Sequence, residues 1–219
     1  MSPRAILFDI YGTLIRSTAS DLHPDPRLRE IIARHHAASP YPHPEIDIRD
    51  IHAELHPTLS PHEIETLARE HEERCNPVDP MPGAAATLRQ LSAKGIRLGL
   101  ISNAQCHTAP ILEQTLGFTR AELGIDPTLQ VFSYLERRAK PDTHLFEIPR
   151  DLLAHQGIAA HDVLYVGNDV RNDIAPARAS GFRTALFAGD ATSLRLRGKS
   201  LENSGADLVI TDLLQLIAL

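Results

Sequence analysis

The chain has almost no cysteine. Its two, Cys75 and Cys106, lie far apart and outside any Cys-x-x-Cys pattern, which excludes a disulfide-stapled scaffold and predicts a reduced pair. Long hydrophobic runs are missing too: no segment approaches the roughly 20 apolar residues of a membrane-spanning helix. The N-terminus, where Arg4 directly precedes a strand-like run, lacks a secretion-signal pattern, so a cytoplasmic protein is expected. Positive charge is in deficit. The formal net charge of −6 argues against a nucleic-acid-binding surface and leaves a small molecule as the expected partner. Internal repeats and low-complexity tails are absent.

What is present is 42% apolar content in 219 residues, enough for one catalytic domain with an insert, as a monomer or a homodimer. Apolar runs at Ala5 to Phe8, Ile96 to Ile101, Val163 to Val166, Thr184 to Phe187 and Leu208 to Ile210 alternate with helix-length segments. That alternation predicts an α/β fold, a doubly wound parallel sheet covered on both faces. Residues 83 to 94 show the helical pattern: Ala84, Leu88 and Leu91 share one face, and Gly95 is placed to end the helix.

Between Leu14 and Pro82 the pattern changes. Ten of the sixteen prolines and eight of the twelve histidines fall there, and no β-run is evident. Ser60-Pro61-His62-Glu63 is a capping box with proline at the first helical position. Helices are expected near 26 to 38, 47 to 56 and 61 to 75. The domain reading is a core of residues 1–15 and 81–219, with a small helical insert at 16–80. His52 and His56 share a helical face, yet no third ligand joins them at zinc-site spacing.

The first apolar run delivers Asp9 to a tight turn, Tyr11-Gly12-Thr13, where a buried strand stops. Three later segments repeat the arrangement. Ile96 to Ile101 runs into Ser102-Asn103; Lys140-Pro141 is expected to open a helix; and Val163 to Gly167 runs into Asn168-Asp169, with Asp173 following. Each alone is an ordinary turn or cap residue. In a doubly wound sheet, however, ligands bind beyond the carboxyl ends of the strands, so these distant polar clusters converge.

In order and spacing, Asp9-x-Tyr11-Gly12-Thr13, Ser102-Asn103, Lys140-Pro141 and Gly167-Asn168-Asp169-x-x-x-Asp173 resemble the four motifs of the haloacid dehalogenase-like hydrolases. The resemblance implies a Rossmann-type core with a helical cap inserted between the first and second motifs. Asp9 is then the nucleophile. Asp169, with Asp9 and the backbone carbonyl of Tyr11, would hold Mg²⁺, an all-oxygen site. Asn168 and Asp173 would support these ligands, Asp173 sharing a helical face with Asp169 and suited to hold Lys140. Lys140 would bind substrate and steady the carboxylates. Ser102, Asn103 and Thr13 would donate to the transferring oxygens.

One position departs from the phosphatase pattern. Most of the family's phosphatases carry a second Asp two residues after the nucleophile, and Tyr11 stands there, as in its 2-haloacid dehalogenases. The missing carboxylate supplies acid–base catalysis worth roughly 10² to 10⁴ in rate. A halide leaves without a proton, so Tyr11 costs a dehalogenase nothing. A phosphate dianion approaching Asp9, on the other hand, meets repulsion of about 4 kcal/mol per unit charge at 4 Å and an effective dielectric near 20, which a divalent cation relieves. On the sequence, a Mg²⁺-dependent phosphatase acting on a small phosphate ester is expected first. A dehalogenase acting on a halo acid is the alternative, and a weakly active phosphate-binding protein stands third.

Overall fold

A computed structural model describes residues 2–18 and 25–219. Chain order gives β1 (Ala5–Phe8), β2 (Ile15–Ser17), α1 (Pro26–Ala38), α2 (Ile48–Leu55), α3 (Pro61–Cys75), β3 (Val78–Pro80), α4 (Ala84–Ala93), β4 (Arg97–Ser102) and α5 (Thr108–Leu116). There follow β5 (Ile125–Phe132), α6 (Ser133–Glu136), α7 (His144–His155), β6 (Val163–Gly167), α8 (Ala175–Ala179), β7 (Arg183–Phe187) and β8 (Leu208–Ile210). Six strands form one parallel sheet in the order β5-β4-β1-β6-β7-β8. The expected doubly wound parallel sheet is present.

β1 lies inside that sheet between β4 and β6, which explains why its four residues are all fully buried. Its side chains alternate. Ile6 and Phe8 enter the layer shared with Leu88, Leu91, Leu112 and Leu213, while Ala5 and Leu7 enter the opposite layer with Leu145, Phe146 and Leu153. Burial of each large side chain contributes about 1.5–3 kcal/mol. With apolar layers on both faces, the sheet presents polar groups only at its strand ends.

The three helices of the insert fall within a residue of their expected bounds. Asp25, Asp47 and Ser60 cap them, and Ser60 and Glu63 complete the capping box. Leu28, Ile46, Ile48, Ile51 and Ala68 form a separate apolar cluster, touched from the core side by Cys106. Residues 19–24 of the insert lie outside the described residues. Cys75 and Cys106 are not disulfide-bonded.

Three expectations need correction. The segment between Leu14 and Pro82 does contain β structure: β2 and β3 pair antiparallel, Ile15 with Pro80 and Ser17 with Val78, as a ribbon at the two ends of the insert. Three-residue strands paired across more than 60 residues carry no local pattern to read. An edge strand, β5, was not anticipated; Asp126 and Pro127 interrupt its apolar character, and proline is tolerated there because one side of the strand is unpaired. Finally, Lys140-Pro141 does not open a helix. Lys140 sits in the loop between α6 and α7, and the helix starts at His144.

Candidate active site

Asp9 leaves β1 with its backbone N–H bonded to Val166 O (2.9 Å), which fixes its side chain at the carboxyl edge of the sheet beside β6. The turn that follows needs Gly12. Its φ is +86°, and a Cβ there would stand 2.4 Å from the Asn168 side chain. Removing that carbon lets the first and fourth motifs meet: Thr13 Oγ1 donates to Asn168 Oδ1 (3.3 Å), and Asn168 Nδ2 donates to Ser193 O (2.6 Å).

Lys140 Nζ is buried between two carboxylates, 2.6 Å from Asp9 Oδ1 and 2.6 Å from Asp173 Oδ1. Tyr165 Oη (3.2 Å) and Ile101 O (3.4 Å) also lie within its reach. Ser102 Oγ donates to the same Asp9 oxygen at 3.2 Å, so both side-chain donors converge on Oδ1. The loop that carries Lys140 is held by Asn103, whose Oδ1 accepts from Lys140 N (2.7 Å) and whose Nδ2 donates to Lys140 O (3.3 Å). The second oxygen of Asp173 accepts the backbone N–H groups of Asn168 (3.0 Å) and Asp169 (2.9 Å). The Asp173 carboxylate thus ties motif three to motif four, and Asn103 of motif two holds the Lys140 backbone.

Burial raises Asp9 to about 6; Lys140 opposes that shift and the Asp173 charge adds to it. Burial also works against the Lys140 ammonium, but Asp173 and Asp9 outweigh it and keep its pKa above the usual value. Tyr165 was not anticipated from sequence. Its hydroxyl lies 3.0 Å from Asp173 Oδ1 and 3.1 Å from Ile101 O, and burial holds the phenol far above its ordinary range. A lone polar tip inside the apolar run Val163 to Val166 was the available signal.

Tyr11 donates its hydroxyl to Thr108 Oγ1 (3.2 Å), and burial, reinforced by Glu72, pushes the phenol well above 10. It is a poor acid in this setting. Above it lies a cavity of about 350 Å³ walled by core residues, including Tyr11, Asn103 and His107, and by insert residues, including Ile32, Ile46 and Glu72. No lysine or arginine lines it among the described residues. His107 Nε2 stands 3.5 Å from Glu72 Oε2; burial lowers its pKa, but Cys106 and Glu72 lift it to about 9.

Asp169 is placed differently from the sequence expectation. Its carboxylate is gripped by Arg197 through Nη2 (2.5 Å to Oδ2) and Nε (3.2 Å to each oxygen). Oδ1 also accepts the N–H groups of Arg171 (2.8 Å) and Asn172 (3.2 Å), capping the π-helical turn Val170–Ile174. Burial raises its pKa, but Arg197 and the two amides together bring it below the usual carboxylate value. As a second anionic ligand for Mg²⁺, Asp169 does not fit, since both oxygens are already engaged. The remaining donors are Asp9, backbone carbonyls and the neutral Asn168 amide, a thin set for a hard divalent ion. Among the described residues no group of three or more His, Cys, Asp or Glu is arranged to hold a metal.

A carboxylate at the end of the first strand, steadied by a lysine and a serine from later strand ends, defines a hydrolase on a Rossmann-type sheet. A model of the haloacid dehalogenase-like hydrolases matches residues 3–181, most of the chain, and the protein belongs to that family. Its fold is similar to that of the 2-haloacid dehalogenase from Pseudomonas syringae pv. Tomato DC3000 (21% identity, TM-score 0.63, covering 100% of this chain and 99% of that one). CbbY from Rhodobacter sphaeroides, in complex with phosphate, is also similar (17%, 0.61, 99% and 100%). So is the magnesium-bound HAD-hydrolase YfnB from Bacillus subtilis (14%, 0.60, 100% and 98%). No curated protein matches the chain significantly.

Proposed function

We propose that the protein is a metal-independent hydrolase in which Asp9 displaces a leaving group that needs no proton, with halide on the carbon next to a carboxylate as the best-fitting case. The observation that carries this reading is the charge at Asp9: one ammonium, Lys140, lies between two carboxylates. A phosphate dianion entering there would meet a net negative site, at a cost of about 4 kcal/mol per unit charge at 4 Å and an effective dielectric near 20. A halo acid has no charge on the reacting carbon. Tyr11, bonded to Thr108, supplies no proton, and a halide asks for none.

The chemistry then runs through Asp9 Oδ2, which takes no side-chain donor among the described residues. Oδ2 attacks C2 of the halo acid, the carbon–halogen bond breaks, and the halide leaves with the bonding pair. Water next adds to Cγ of the resulting ester and releases the 2-hydroxy acid and the free carboxylate. Lys140 and Ser102 hold Oδ1, fixing the angle of attack and stabilising charge on that oxygen during hydrolysis. The helical insert acts as a cap that walls the substrate chamber.

The second reading is a Mg²⁺-dependent phosphatase on a small phosphate ester. Asp169 favours it, as a carboxylate one residue beyond Asn168, and would have to leave Arg197 to serve. Similarity to CbbY and YfnB at under 20% identity is a likeness of fold and does not choose between the readings. A panel of 2-chloropropionate, an aryl phosphate and an alkyl phosphate, each with Mg²⁺ and with EDTA, tests both. Halide release indifferent to EDTA is expected. Phosphate release that requires Mg²⁺, with no halide release, replaces the first reading by the second.

A further inference from the structure

Arg197 is remote in sequence from every motif and yet closes on the fourth. Segment 193–197 runs alongside residues 168–170 as an irregular strand: Arg195 N donates to Asn168 O (2.9 Å), and Val170 N donates to Arg195 O (2.9 Å). Ser193 O holds the Asn168 side chain at 2.6 Å. At the end of this strap the Arg197 backbone has φ +55°, a left-handed conformation that a non-glycine residue adopts only under constraint. That conformation goes with the two-pronged contact of the guanidinium on Asp169.

We propose that Arg197 stands in for the divalent cation: its fixed charge neutralises Asp169, closes the carboxylate to metal and makes the site independent of Mg²⁺. The geometry has three parts. A guanidinium fork matches a carboxylate in two directions at once, which a hydrated ion must displace both prongs to undo. The Asp169 side chain is 9% exposed, whereas that of Arg197 is 45% exposed, so the carboxylate is the sheltered partner and meets the outside through the arginine. Arg197 makes its ion pair with Asp169, and Lys140 remains the cation in contact with Asp9. The inference goes beyond the choice of leaving group, because it concerns which ion the fourth motif admits and holds for displacement at carbon or at phosphorus.

Calorimetric titration of the full chain with MgCl₂ tests it, in the parent, in Asp169→Asn, in Arg197→Gln, and in Arg197→Gln combined with Asp169→Asn. Little Mg²⁺ binding is expected in the parent. Arg197→Gln should gain at least roughly tenfold in Mg²⁺ affinity, the scale on which groups around a metal ligand act, and the added Asp169→Asn should erase the gain. Parent binding that Asp169→Asn alone weakens tenfold overturns the proposal, as does a folded Arg197→Gln with no gain. If Arg197→Gln does not melt cooperatively, Arg197→Lys takes its place. A single ammonium cannot span both oxygens, so a folded lysine variant must still bind Mg²⁺ more tightly than the parent, and one that does not overturns the idea equally.

Discussion

At the scale of single residues, Asp9 carries the clearest pH signature. Burial raises it from 3.8 to about 6, and in the proposed mechanism the attacking form is the carboxylate. Activity should therefore rise with pH, reach half its plateau near pH 6 and stay flat above it, as a pH–rate profile will show. The same shift acts on stability with the opposite sense. Between pH 4 and 6 the folded state keeps a proton that the unfolded chain has lost, so the Asp9 contribution to stability falls as pH rises. Asp9→Asn should abolish turnover of every substrate and remove this slope. Turnover within tenfold of the parent removes Asp9 from the mechanism.

Tyr11 gives a second test at this scale. Its phenol, buried and bonded to Thr108, is no acid, so Tyr11→Asp adds a carboxylate to a site with one ammonium for two anions already. Halide release should fall by one to two orders of magnitude, about 1.4–3 kcal/mol on the scale where a tenfold rate change is 1.36 kcal/mol. A gain in alkyl phosphate hydrolysis from the same substitution, measured by phosphate release, counts instead for the phosphatase reading.

At the scale of elements, legibility follows burial. Runs such as Val163 to Val166 are apolar throughout because both faces of the sheet are covered, and α3 announces itself through the Ser60 capping box; the Asp25 and Asp47 caps of α1 and α2 are seen in the structure. β5 was illegible because an edge strand has one unpaired side, which admits Pro127 and Asp126. Among the site groups, those at strand ends could be read from motif order. Arg197 and Ser193 could not, since no local pattern links them to a turn some 25 residues earlier. The seam between β4 and β5 offers a test of packing. A Cβ on Gly99 would lie 2.5 Å from Leu129 O and 2.7 Å from Leu7 Cδ2, beside a register shift in the β4–β5 pairing. Gly99→Ala should destabilise the protein by roughly 1–3 kcal/mol, as overpacking does, read as a lower urea midpoint; an unchanged midpoint would mean that the edge strand yields freely.

At the scale of the whole molecule, the ion pair between His107 of the core and Glu72 of α3 fastens insert to core across the cavity. Because His107 is raised to about 9, its contribution is complete below pH 6.5 and disappears as pH climbs through 9. Thermal stability should decline over that window, and His107→Gln should flatten the decline. A parent melting temperature constant from pH 6.5 to 9 would deny the pair this fastening role.

The cavity itself belongs to neither part. Core and insert each supply one wall, so its shape exists only while the two are apposed, and a substitution on an insert helix can redraw what is admitted without touching the reacting carboxylate. Among the described residues no lysine or arginine lines it, and the raised His107 is already paired with Glu72, so a ligand with several negative groups would shed its water for little cationic compensation. On the proposed reading the chamber sorts candidates before Asp9 is reached, and a change of substrate is then expected to follow substitutions on the insert rather than at the strand ends.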